Sequence, residues 1–132
     1  MGQQFESAAA DLAGSNLSDF VKAYILAAYW TDTGDNEQPS SEAEMSVQGV
    51  EVAVSECEAF QRDASEALRL AYQTPGYDES SAGHDFWLTR NGHGVGFWDR
   101  GLGEIGDVLT HLAHAEGQSD LYEGDDGLLY LS

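Results

Sequence analysis

The sequence predicts an α+β fold: two N-terminal helices, then a β-hairpin, a helix and a second β-hairpin. The strands are expected to form a small antiparallel sheet packed on the helices. Three observations point that way. Apolar residues return every three or four positions in three stretches. Two short strand-like tracts each enclose an Asn-Gly or Asp-Gly turn signal. Apolar residues make up 42% of the chain, with three tryptophans, six tyrosines and five phenylalanines, enough large side chains for a core. A length of 132 residues suits one domain, which buries roughly two-thirds of its unfolded surface. Residues 1–16, rich in Ala, Ser, Gly and Gln, read as a flexible or weakly helical N-terminus, and residues 17–132 as a single α+β domain.

The first helix is expected to begin near Ser18, whose hydroxyl can cap the first turn, with Asp19 at the positive end of the dipole. Phe20, Ala23, Tyr24, Ala27 and Trp30 give it one apolar face. Thr31 to Ser41 carries turn chemistry throughout and reads as a loop. A long helix follows between Glu42 and Gln73, with Val50, Val54, Cys57, Phe60, Ala64, Leu68 and Ala71 as its stripe and Pro75-Gly76 as its stop. Gly49 and the nearby valines weaken helix formation before residue 53.

The tract Asp85 to Arg100 reads as a β-hairpin turning at Asn91-Gly92, a pair suited to the positive φ angles of a type I′ turn. That register pairs Phe86 with Phe97 and Leu88 with Val95 on the core face. Trp87 then lies over Gly96 on the other face, shielding exposed backbone. Glu104 to Ala115 reads as a helix burying Ile105, Val108, Leu109 and Leu112, capped by Gly117. The chain ends in a hairpin turning near Asp126-Gly127.

Charge is the strongest compositional signal. Five basic residues face 24 acids, for a net charge of -19, and the acids divide 13 to 11 between the two halves. Direct binding to DNA or RNA is disfavoured, because counterion release needs a basic surface. The acids can imitate a nucleic-acid backbone, adapt the protein to high salt, or simply form a solvated surface. Cys57 is alone, so no intramolecular disulfide forms. Met1 to Gly14 has no basic residue, unlike a signal peptide, and no apolar run approaches the 18 or so residues of a membrane span. A cytoplasmic location is expected, in a host cell if the protein is phage-encoded. The oligomeric state stays open, a dimer included.

The tract Ser81 to Arg100, S-A-G-H-D-F-W-L-T-R-N-G-H-G-V-G-F-W-D-R, resembles a recurrent block in small uncharacterised bacteriophage and prophage proteins. In that family a helix and a D-L-Y-x-G-D-D-G-type end follow, as Asp120 to Gly127 do here. The resemblance implies a phage origin and a shared fold, and carries no activity. The acidity is also similar to that of phage anti-restriction and anti-CRISPR proteins that mimic DNA.

Several constellations are candidates for function. Glu44, Glu51 and Glu58 are seven residues apart, so an uninterrupted helix would stack them about 10.5 Å apart. Glu56, Asp63 and Glu66 would add a neighbouring row. Such rows can stand in for phosphates, or form an ordinary solvated helix face. Trp87 and Trp98 are the candidate aromatic anchors. The expected partner is a host nucleic-acid-binding protein with a basic surface, such as a defence nuclease, a CRISPR complex or a polymerase. No cofactor, no direct nucleic-acid contact and no membrane are expected, and catalysis is not.

The alternatives are a non-catalytic accessory phage protein adapted to salt, and a small enzyme or metal protein using His84, His93, His111 or His114. Arg90, His93, Asp99 and Arg100 cluster around the expected hairpin and can move protons, or merely shape the turn. Asp107, His111 and His114 share one helix face with spacing that can hold zinc, or form its polar side. Asp120 to Asp126 lacks the alternating ligands of a calcium loop. Cys57, between Glu56 and Glu58 on the apolar stripe, is expected to be buried and inert.

Overall fold

The computed structural model describes residues 17–132. It is helix-rich, with five helices and one two-stranded antiparallel sheet. Helix α1 spans Asp19–Asp32, α2 Val47–Asp63, α3 Ser65–Ala71, α4 Glu79–Arg90 and α5 Glu104–Ala115. A 3-10 turn occupies Phe97–Asp99, and the strands are β1 Leu121–Glu123 and β2 Leu129–Leu131. The reading of residues 1–16 lies outside the described residues.

Ser18 caps α1 as expected, its Oγ accepting from the Val21 N–H. Helix α2 starts five residues later than the sequence suggested. Ser46 is its cap, Oγ accepting from the Gly49 N–H at 2.9 Å. The residues before it are extended. The Leu129 N–H donates to the Glu44 carbonyl, the Ser46 N–H donates to the Leu129 carbonyl, and Met45 makes a parallel bridge to Leu129. Gly49 is required there, since a Cβ would press on the Met45 side chain and the Leu129 carbonyl. The long helix also breaks at Ala64, where the backbone leaves helical geometry between α2 and α3.

The first predicted hairpin does not exist. Residues 79–90 are helix α4, opened by a capping box between Asp78 and Ser81. Asn91-Gly92 ends that helix instead of turning a hairpin. Gly92 has φ +69°, its N–H donates to the Thr89 carbonyl, and the His93 N–H donates to the Leu88 carbonyl. That pair of bonds is a Schellman C-cap, which wants the same positive-φ glycine as a type I′ turn. The Phe86–Phe97 and Leu88–Val95 cross-strand pairs therefore do not form. Helix α4 is buried from Ala82 almost without interruption to Arg90 and packs closely on α1, where a Cβ on Gly83 would collide with the Phe20 carbonyl.

The remaining elements match their expectation more closely. Helix α5 has the predicted limits, with Leu109 buried and Ile105 and Leu112 partly so; Val108 faces outward. Gly117 follows its cap with φ +80°. The terminal hairpin pairs Leu121 with Leu131, Tyr122 with Tyr130 and Glu123 with Leu129. An aromatic cluster fills the centre: Phe60 stacks on Phe86 at 4.1 Å between centroids, and Tyr24 meets Trp87 edge-on at 5.2 Å. Among the described residues no helix is long and apolar enough to cross a membrane.

Candidate binding surface and cleft

The few positive charges decide where the carboxylates are free to act. Arg90, at the end of α4, is buried and lies over the Phe86 ring. Its Nε donates to the Gly117 carbonyl at 2.7 Å, Nη2 to the Glu116 carbonyl, and Nη1 to the Tyr24 hydroxyl. Glu56 supplies the countercharge at 3.4 Å. It also accepts from the Tyr24 hydroxyl at 2.6 Å and from Ser119. Glu56 is therefore an internal strut joining α1, α2 and α4 to the segment after α5, and no part of an outward acid row. Burial first, and Glu56 second, push the Tyr24 hydroxyl and the Cys57 thiol well above their ordinary values. Cys57 is a protonated core side chain.

The rest of the predicted rows is thinned further. Glu44 precedes α2, so the Glu44–Glu51–Glu58 stack loses its first member. Glu51, Glu58 and Asp63 are exposed. Glu66 is also exposed, and Arg69 donates to it from both Nε and Nη2. Of the two proposed anchors, Trp98 is 42% exposed, whereas Trp87 is fully buried with its indole N–H donating to the Thr31 hydroxyl. The cluster expected around the first hairpin is dispersed. Arg90 pairs with Glu56, Arg100 with Asp85, and His93 with Asp32, while Asp99 accepts from the Gly96 N–H. On α5, Asp107, His111 and His114 are all exposed, and no group of three metal ligands forms among the described residues.

Two features went unnoticed in the sequence. The first is an apolar patch on the outer side of α1, where Leu26 is 68% and Trp30 69% exposed. The apolar periodicity places Trp30 on the core face, and the structure turns it outward. Ala23, Leu26 and Trp30 form a second stripe at i, i+3 and i+7 beside the buried Phe20–Tyr24–Ala27 stripe, so the signal was present. Trp30 stacks on His84 of α4 at 5.5 Å.

The second is a cleft of about 600 Å³ between α1, the Thr74–Tyr77 turn and the start of α4. Arg100 reaches it from the loop after the 3-10 turn. The Arg100 Nε donates to both oxygens of Asp85, and Nη2 donates to Oδ1 at 2.7 Å. The Tyr77 hydroxyl donates to the remaining side of the same carboxylate at 2.8 Å. The bond to Asp85 holds the Arg100 guanidinium above its already high value. Burial, and then Asp85, raise the Tyr77 hydroxyl far above its ordinary range, and burial lowers His84.

Comparison with known protein families, curated proteins and solved structures finds no match. Asp85, Arg90, Arg100 and Glu56 are spent on internal pairs. What faces outward is a carboxylate-rich exterior interrupted by Leu26, Trp30, Trp98 and Tyr122.

Proposed function

We propose that the protein works by binding, its acidic exterior occupying the basic, nucleic-acid-binding surface of a host protein in the manner of a phage-encoded inhibitor of DNA-mimic type. One observation carries this reading. Three of the five basic side chains are taken into ion pairs, Arg69 with Glu66, Arg90 with Glu56 and Arg100 with Asp85. Among the described residues only Asp85 is a buried acid. Arg90 is buried and Arg69 lies paired on the surface, so little unpaired positive charge interrupts the exposed acids. Such a field accelerates encounter with a basic partner and weakens as salt screens it. Glu51, Glu58 and Asp63 supply charge along α2. Leu26, Trp30 and Trp98 take over the anchoring role first given to Trp87, since large exposed aromatic side chains supply most hot-spot energy.

The test is affinity capture from nuclease-treated host lysate with the full chain immobilised. A nucleic-acid-binding protein that is retained, and displaced by excess duplex DNA, supports the proposal. Retention indifferent to DNA overturns it.

A second reading has its own observation: exposed acids occur on every described helix, in the hairpin and in the loops. Saline adaptation predicts that spread. It also predicts that added salt strongly stabilises the fold, which a melting series in potassium chloride measures directly.

A further inference from the structure

We propose that the cleft between α1 and α4 is a binding site for a small organic anion with a flat apolar body, such as an aromatic carboxylate. The lining makes the case. In a chain with 24 acids, this cleft has one acid in its wall, Asp85, and that carboxylate is fully taken up by Arg100 and Tyr77. No free carboxylate lines the space to repel an anion or attract a cation. Arg100 is 37% exposed there, and its bonds to Asp85 use only Nε and Nη2. The Nη1 edge takes no part in the pair. A guanidinium fixed by a buried carboxylate has already lost its rotational freedom, so its unused N–H groups are preorganised for a second oxyanion.

Ser80 and His84 flank the cleft and add hydrogen-bonding capacity. Its apolar wall is Leu26, and Trp30, beyond the lining itself, stacks on the lining residue His84 with most of its ring open. A flat ring can lie against that wall while its carboxylate meets Arg100. The volume lies within the range of roughly 300–1,000 Å³ usual for small-molecule sites.

This site shares Leu26 and Trp30 with the macromolecular reading, and salt separates the two by sign. The overall negative field opposes an incoming anion, so screening should raise its affinity, whereas a basic partner should be lost. Calorimetric titration of the full chain with indole-3-acetate, and with the uncharged indole-3-acetamide as control, tests it. Saturable one-site binding of the acid is expected, with the amide at least about tenfold weaker, since tenfold is only 1.4 kcal/mol. Affinity should rise between about 0.01 and 0.15 M salt, as the screening length falls from roughly 30 to 8 Å.

R100Q should abolish binding. Because it also disturbs Asp85, W30A provides a second variant at an exposed position. It should weaken binding about fivefold or more, with cooperative melting unchanged. Equal binding of acid and amide, affinity indifferent to W30A, or no saturable binding by the folded protein overturns the proposal.

Discussion

Helices α4 and α5 are each 12 residues long, yet one is enclosed by the rest of the molecule and the other meets water along one side. Helix α5 lies at the surface. Its Leu109 and Ala113 face the core while Glu104, Asp107, His111 and His114 face water, so the 3.6-residue period is visible. Helix α4 runs through the middle and is buried on nearly all sides. An all-round buried helix has no polar face, and F-W-L-T supplied the aromatic and β-branched residues that favour strands. The polar groups of α4, Asp85, Thr89 and Arg90, face internal partners. Polarity within a buried helix marks an internal network, and polarity on a surface helix marks solvent.

The largest contrast should come from Phe86→Ala and Arg90→Met on α4. The first removes a ring stacked on Phe60 and should cost about 3–5 kcal/mol. The second leaves Glu56 without its countercharge and should cost a similar amount, about 3–5 kcal/mol. Replacing Glu56 by Leu in the same chain should recover part of that loss. Urea unfolding of the three variants checks both effects. A cost below about 1 kcal/mol for Arg90→Met would mean that the network does not hold the helix ends together.

A middle-sized effect is expected at Gly92. Its surroundings are open, so Gly92→Ala tests backbone conformation alone, at about 1 kcal/mol. On α5, Val108→Ser and His111→Ala should each change stability by no more than about 0.5 kcal/mol, measured in the same way. A large loss at either position would break the comparison. The smallest signal belongs to Cys57. Burial keeps its thiol protonated and covered, so a thiol-reactive dye should label it only in denaturant.

What the sequence disclosed follows the same physics. Ser18, Gly117 and the Asp126-Gly127 turn were legible because caps and tight turns depend on one or two residues. The start of α2 was missed because pairing of residues 44–46 with Leu129 is a contact across more than eighty positions. The site was less legible than the fold. Spacing put Glu44 and Glu56 on outward rows, whereas β2 and Arg90 claim their surroundings. Strand alternation puts Trp87 on an outward face, but residue 87 lies in a helix and its ring is buried. Arg100 and Asp85 are fifteen residues apart on different elements, and nothing local announces their pairing with Tyr77.

The central proposal is that the negative exterior engages a positively charged partner. The most direct measurement is the affinity of the immobilised protein for a captured, DNA-displaceable host protein, followed across a salt series. The account predicts an association rate that drops about tenfold or more from low to physiological salt, with most of the affinity loss appearing in that rate. An association rate that stays level over the same range would contradict it.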